Sequence, residues 1–581
     1  MTWWLLQNSR LKAEKAALVE LEGSVDWLST GTWQTNSDLE MCIDFSVAHG
    51  DEIFELRMRY PSIYPDMPPM IFTKDNSRIS NHQYGASGEL CLEHRPDNWH
   101  PSVTGADMVL SCHRLIVEER PAGDENVHAR SAHAASLGRD LRSKSYRFMM
   151  SGMDVEALKA LPEYHAFEFS LSERRAASSY LACATRIGPQ DDPIWVSDLV
   201  LPQGFAEETG SAVRVPGTGK CGAITAEELS AVLVAANHGD LKCRLLDTDA
   251  FTHLLMGDGE NWELFSIFGT TDDRKVFPYK TVVVPADRQR LPAGYEDLAN
   301  KKVGIVGCGS VGSKVAASLC RTGVGSFLLV DEDIFFPGNV VRNELDLKIT
   351  GAHKAYGLRE RLTHLAPKVD VKALRTSLGG QESGEFMAGT LEALGSCDVV
   401  IDATASPTAF NLIASIVTRQ RKPMVWSEVF AGGIGGFVAR ARPNIDPIPL
   451  FGRRQIEEWC VDQGVDWIRP EDSAPYDGQS DDGTPLVADD ADVSVIAAHT
   501  SRMVIDLLVR PEESIFPVSA YAIGMSSQWL FEQPFDTRPI DLIPQGEWGE
   551  TVEAIDADAM IEILKEHLPL KEDADATSVA E

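Results

Sequence analysis

Cys91 stands in the run Gly88-Glu89-Leu90-Cys91-Leu92, directly after the small polar turn Gly85-Ala86-Ser87-Gly88, with Trp99 eight residues on and Pro101 two further. A cysteine does chemistry as its thiolate, which must be reachable in order to attack and to leave, whereas a packed thiol is inert. A position after such a turn meets that condition. A second group of reactive types lies far along the chain, where Gly307, Gly309 and Gly312 form G-x-G-x-x-G and are followed by Asp331, Asp333, Asn339, Arg342, Lys354 and Asp402. The backbone N–H groups of such a loop and the positive end of the helix behind it can hold phosphate. The loop alone would serve a nicotinamide cofactor equally well, with Asp331 accepting from ribose hydroxyls. The residues that follow separate the two uses. Asn339, Arg342 and Lys354 suit a triphosphate, and Asp402 suits the Mg²⁺ that accompanies it, a set that hydride transfer does not need. Fixed cations there would stabilise the charge that builds on phosphate oxygens when a carboxylate attacks the α-phosphate of ATP.

The elements that must position these residues can be read from pattern. From Lys302 the chain runs as strand, glycine loop and helix, VGIVG (303–307), then SFLLVD (326–331), with DVVIDAT (398–404) as a further continuous apolar strand. This predicts a doubly wound α/β domain with a parallel sheet. Near the start, an amphipathic helix is predicted over 9–22. Met41, Ile43, Phe45, Val47 and then Phe54, Leu56, Met58, Tyr60 alternate about His49-Gly50-Asp51, which predicts a hairpin. The prolines of PSIYPDMPP (61–69) then stop regular pairing. Residues 125–290 carry little signal beyond helical patterning near 153–162 and 225–236 and strand-like pieces at 193–201 and 279–285. PGTGKCG (216–222) is read as a turn, because Arg214 and Cys221 stand where a phosphate loop needs a glycine and a Ser or Thr. A short helix is predicted at about 557–567, ahead of an acidic tail.

Composition bounds the function classes. The chain has 581 residues, 44% hydrophobic and 24% charged, and divides naturally into several folded domains. A formal net charge of −34 disfavours nucleic acid and anionic membrane surfaces as partners. The sequence holds no apolar run of the roughly 18 residues that would span a bilayer, and a cytoplasmic protein is expected. Ten cysteines without a CxxC pair argue against a disulfide framework and a zinc ribbon, so no structural zinc is expected.

With these residues in view, the segment of about 286–545 resembles the ThiF/MoeB/ubiquitin-activating superfamily in its glycine loop, LVDxD strand end, Asn-x-x-Arg and Gly-x-x-Lys. The resemblance implies that Asp331 and Asp333 face ribose, that Asn339, Arg342 and Lys354 face phosphates, and that Asp402 holds Mg²⁺. It further implies a homodimer, with Arg288 or Arg290 as the arginine lent across it. Ser310 departs from the pattern, replacing a loop glycine, and the superfamily's zinc cysteines are absent. Residues of about 9–120 resemble the ubiquitin-conjugating enzyme core, through YPDMPP (64–69) and the spacing of Cys91, Trp99 and Pro101. That resemblance makes Cys91 the catalytic nucleophile and puts Gln83, in Asn81-His82-Gln83, where the family has the asparagine that helps the thioester oxyanion. An activating enzyme of this kind needs a cysteine of its own, and Cys460, in GRRQIEEWCVDQG (452–464), is the best placed.

The expectation is a multidomain α/β protein: a ubiquitin-conjugating-like α+β domain (1–124), an α/β linker domain (125–285), a Rossmann-like ThiF adenylation domain (286–550) and a short helix with an acidic tail (551–581). The order of the two modules resembles the fused enzyme of bacterial CBASS antiviral operons. This implies ATP- and Mg²⁺-dependent activation of a protein C-terminus, thioester relay through cysteines and conjugation to a target lysine. The implied substrate is a cGAS-like nucleotidyltransferase, or alternatively a ubiquitin-like protein or sulfur carrier. An inactive Rossmann scaffold and a nicotinamide oxidoreductase are the rival readings.

Overall fold

The computed structural model describes residues 2–84, 88–120, 137–142, 144–176, 179–197, 206–217, 225–284, 291–465, 478–479, 485–486, 488–550 and 557–567. The chain divides into two compact units, Met1–Ser145 and Tyr146–Glu581.

The first unit is built on an antiparallel sheet whose four strands, Leu28–Thr35, Met41–His49, Glu52–Tyr60 and Met70–Thr73, lie side by side in chain order. The central hairpin pairs Met41 with Tyr60 and His49 with Glu52. Its tip is Gly50, whose φ of 57° lies in the left-handed region that favours glycine. Phe54, Leu56, Met58 and Tyr60 are buried, as their period of two requires. Helices Asn8–Ser24 and Gly105–Glu119 contribute Leu18, Leu21, Met108, Val109 and Ile116 to the same core. A buried carboxylate ties them together: Glu14 accepts from the Tyr60 hydroxyl at 3.0 Å and from the N–H of Gly105 at 2.7 Å, and pairs with Arg10 at 2.9 Å. Position 105 must be glycine, since a Cβ there would stand 1.9 Å from the Tyr60 oxygen.

In the second unit, a sheet runs in the order Lys275–Pro278, Trp262–Phe268, Thr252–Gly257, Ala206–Arg214, Ala166–Ala176, Ser179–Ile187, Tyr146–Met150, Lys280–Val283. Its first and last strands follow one another in the chain, separated only by Tyr279, which brings the two edges of the sheet together. Phe148, Phe169, Leu171, Leu255 and Leu264 fill one side, and Leu254, Met256 and Phe265 pack on the other with the helices Ala226–Ala235 and Gly239–Leu246. Of the sequence expectations here, the helices at Gly152–Lys159 and Ala226–Ala235 are present, but five long strands went unread. Pro216 and Gly217 form a turn, and the rest of PGTGKCG lies outside the described residues.

An eight-stranded sheet orders its strands as Asp370–Leu374, Ser326–Val330, Lys302–Val306, Val399–Asp402, Met424–Val429, Gly435–Ala441, Ala520–Gly524, Thr537–Ile540. The first five are parallel and the last three antiparallel. The chain starts at the middle strand, builds outward on one side, then returns to build on the other. This leaves a crevice at the carboxyl ends of the strands beside Lys302–Val306, the place where such folds bind ligands. Among the described residues, no helix is long and apolar enough to cross a membrane. The short helix near the end is present as Ala557–His567.

A wholly buried ion pair fastens this sheet to the helix Asp490–Val509. Arg440 Nη1 lies 3.1 Å from Asp506, whose carboxylate also accepts from Arg510 Nε at 2.8 Å and the N–H of Ile515 at 3.2 Å. Removing one partner leaves the other charge buried and uncompensated, so Asp506→Ala is expected to cost about 3–5 kcal/mol in urea unfolding. Burial alone would raise the Asp506 carboxyl, but donors from Ser514, Arg510, Ile515 and Arg440 hold it below the usual carboxylate range. Its contribution is therefore present near neutrality and lost as the pH falls through the depressed value, and the wild-type and variant unfolding curves should converge in acid.

Candidate functional site

The crevice holds a cavity of about 460 Å³, within the range of small-molecule sites. Its floor is the glycine loop. Gly307 has φ 88°, and a Cβ there would lie 2.8 Å from the carbonyl oxygen of Ala403. At Gly312 a Cβ would lie 1.8 Å from the carbonyl oxygen of Gly307, so the helix Ser310–Arg321 can sit against the loop only with glycine at that place. Gly309 differs, since a Cβ there would meet nothing within 4 Å. No side chain caps this helix, and Gly309 and Ser310 line the cavity, leaving N–H donors and the positive helix end for an anion.

The other expected residues converge here. Asp331, Asp333, Asn339, Arg342 and Lys354 all line the cavity. Asp331 braces the loop by accepting from the N–H of Cys308 at 2.6 Å and of Asp333 at 2.8 Å, while burial pushes its carboxyl above the usual range. Lys354, at the start of the helix Lys354–Leu365, pairs with Asp333 at 2.7 Å, which fixes its ammonium at the cavity. Asn339 accepts from the N–H of Phe336 at 2.8 Å, leaving its amide N–H₂ as the donor it can offer.

Asp402, expected to hold Mg²⁺, ends its strand directly before the cavity-lining residues Ala403 and Thr404. It is 4% exposed at the end of its strand and is not among the lining residues. Its Oδ1 accepts from both the N–H of Thr404 at 2.9 Å and the Thr404 hydroxyl at 2.6 Å, so the carboxylate shapes the turn behind the cavity. The residues after it, Ala403, Thr404 and Ser406, form the wall instead. The acidic lining is Asp331, Glu332 and Asp333, of which the first is committed to backbone donors and the third to Lys354. Asn343, Thr376, Ser377 and Thr404 also line the cavity and were missed in the sequence. For Thr376, Ser377 and Thr404 the signal available was their position just past strand ends. Arg288 and Arg290 lie outside the described residues.

Cys91 belongs to the first unit and is half-buried. Its N–H donates to the carbonyl of His82 at 2.7 Å, fixing the loop, and its sulfur lies 3.1 Å from Nη1 of Arg95 and 3.9 Å from the Tyr84 hydroxyl. Trp99 packs against the core and donates Nε1–H to the carbonyl of Pro65 at 2.6 Å, which joins the Cys91 segment to the proline segment before it. Gln83 is otherwise engaged: its amide nitrogen donates to the carbonyls of Ser77 and Gly88 at 2.9 Å each, and its oxygen accepts from the N–H of Ile79 at 2.9 Å. Both amide hydrogens thus hold the loop, and an oxyanion role would require Gln83 to release one of those carbonyls.

Cys460 was the expected cysteine of the activating half. It sits on the inner face of the helix Pro449–Asp462 with Gly452 and Ile456, is 1% exposed, and burial pushes its thiol up to about 11. As placed, it lacks the accessible thiolate the relay needs. Cys308, inside the glycine loop, is buried and its thiol is also raised by burial. Among the described cysteines, only Cys91 and the surface residue Cys243 are not buried.

Residues 287–479 match the model of the ThiF family. The uncharacterized protein y4qC of Sinorhizobium fredii is 24% identical over 510 residues, covering 79% of this chain and 83% of that protein. The ATP-dependent ubiquitin transferase-like protein Cap2 of Enterobacter hormaechei is 32% identical over 148 residues, covering 25% of this chain and only 23% of that protein. A solved structure of E. coli MccB with ATP aligns at a TM-score of 0.33 with 16% identity, covering 44% of this chain and 69% of MccB. The chain is a multidomain α/β protein with a ThiF-like Rossmann-type domain, whose residues 287–479 match that family's model.

Proposed function

We propose that the protein activates the C-terminal carboxylate of another protein with ATP and transfers the acyl group to Cys91, from which it passes to a target lysine. The observation that carries this reading is the convergence of an uncapped helix N-terminus, Arg342, Lys354 and Asp331 on one cavity. The substrate carboxylate attacks the α-phosphorus of ATP and pyrophosphate departs; N–H donors of the glycine loop, with Arg342 and Lys354, meet the charge that develops. Bound Mg²⁺ would neutralise phosphate oxygens during that departure. The thiolate of Cys91 then attacks the acyl carbon and AMP leaves. Finally the target amine attacks the thioester, the C–S bond breaks, and the electron pair returns to sulfur.

The Cap2 relative, named as a ubiquitin transferase-like protein, supports conjugation rather than adenylation alone. By the resemblance to CBASS enzymes, the substrate is a cGAS-like nucleotidyltransferase, the activating domains pair as a homodimer, and the setting is antiviral defence in the cytoplasm. ATP–pyrophosphate exchange in the presence of the carboxylate donor tests the first step. Exchange is expected, and its absence with a folded protein and a verified donor would overturn adenylation. The buried setting of Cys460 favours direct attack by Cys91 on the adenylate. Cys460→Ala is therefore expected to retain both exchange and loading of Cys91; loss of loading with exchange intact would put Cys460 back in the relay.

A further inference from the structure

We infer that Arg95 is a further catalytic residue, which holds the negative charge on the Cys91 sulfur both when it attacks and when it leaves. The inference rests on the reading of Cys91 as the acyl-carrying thiol. Arg95 follows Cys91 by four residues, and its side chain is only 9% exposed. Taking a guanidinium out of water is costly unless it is paired and hydrogen-bonded, so its partners reveal what it is placed for. Nη1 points at Cys91 Sγ from 3.1 Å, Nη2 reaches Asp97 at 3.3 Å, and Nε is buried without an acceptor. Asp97 is itself largely exposed, so water weakens that pair. A neutral thiol is a poor acceptor, whereas a thiolate accepts a charge-assisted hydrogen bond of the kind guanidinium makes best.

The Arg95 backbone is fixed for this purpose. Its N–H donates to Asn98 Oδ1 at 2.8 Å, and Asn98 in turn donates to the carbonyl of Glu93 at 2.8 Å, which closes the loop from 93 to 98 around the sulfur. The groups that face Cys91 and Arg95 are Asp97, which also pairs with the guanidinium, and the Tyr84 hydroxyl, 3.9 Å from the sulfur. Glu93 is turned to Arg114. Among the described residues no cation besides Arg95 is in hydrogen-bond contact with the sulfur, which leaves Arg95 as the group that meets its charge. In transfer to a lysine, nitrogen bonds to the acyl carbon, the C–S bond breaks, the electron pair settles on Sγ beside Nη1, and the amine's proton goes to solvent.

Alkylation by iodoacetamide tests the inference on the full chain, with Cys91 followed by peptide mass and no need of ATP or a protein substrate. At neutral pH, Arg95→Leu is expected to slow alkylation of Cys91 by about tenfold. Arg95→Lys should restore most of the rate. Arg95→Gln supplies the neutral arm if Arg95→Leu does not fold. An unchanged or faster rate in the folded neutral variant would overturn the proposal, as would failure of lysine to rescue it. Because the assay bypasses adenylation, loss of conjugation in the wild type would count against the proposed function while leaving this result standing.

Discussion

Cys91→Ala is expected to abolish acyl transfer to a target lysine, with a loss of at least about 10³-fold, while leaving ATP–pyrophosphate exchange at the wild-type level. The separation follows from where the groups lie: Cys91 belongs to the first compact unit, and every expected nucleotide-contacting residue belongs to the second. The variant should also keep its fold, because Cys91 is only half-buried and contributes nothing to the core around Tyr60 and Leu56. Cys91→Ser should instead carry an oxyester that survives thiol, since an alkoxide leaves less readily than a thiolate. Non-reducing gels with and without thiol check both. Conjugation by Cys91→Ala at the wild-type rate would remove the thiol from the mechanism.

Lys354→Ala is expected to lower ATP–pyrophosphate exchange by about 10²- to 10³-fold, the scale seen when one preorganised donor to a developing charge is removed. Lys354 is mostly buried and held by Asp333, so its ammonium is already placed when phosphate arrives and needs no reorganisation. Gly312→Ala should be at least as severe for a different reason, because its Cβ would overlap the carbonyl oxygen of Gly307, a backbone atom that cannot yield without opening the loop. Equal exchange by wild type and Lys354→Ala would mean that triphosphate is bound elsewhere. Asp402→Ala and Thr404→Val are both expected to lower exchange, because each removes bonding that holds the turn lining the cavity.

What the sequence disclosed was mostly short-range. The glycine loop is legible because the demands at Gly307 and Gly312 arise within a few residues, and they take the same form wherever such a loop meets a strand and a helix. The Cys91 segment is legible for a similar reason, its fixed spacing to Trp99 being what lets the indole reach the carbonyl of Pro65. The middle sheet was not legible because both of its faces are covered. Leu254, Leu255 and Met256 are all buried, which erases the alternation by which a half-exposed strand is recognised.

The surroundings of the site residues were hidden for another reason. Pattern puts Asp402 at a strand end but cannot show that the next turn bends back to occupy its carboxylate. It puts Gln83 before Cys91 but cannot show two carbonyls waiting for its amide. Cys460 was partly readable, since Gly452, Ile456 and Cys460 recur every four residues and so share one buried helix face. Arg95 was not readable at all, because an arginine beside a proline in a polar stretch ordinarily points to solvent, and only the fold turns it inward to the sulfur.

The central claim is that an acyl group activated with ATP comes to rest on Cys91, and one trapping measurement addresses it directly. The Cys91→Ser variant, purified under denaturing conditions from the cells that naturally make this protein, would have the peptide containing position 91 mapped by mass. The expected result is that peptide bearing the C-terminal residues of one defined protein in an ester linkage cleaved by hydroxylamine and not by thiol, and absent when Lys354 is also replaced by alanine. An unmodified peptide in cells where the wild-type protein forms conjugates would contradict the account.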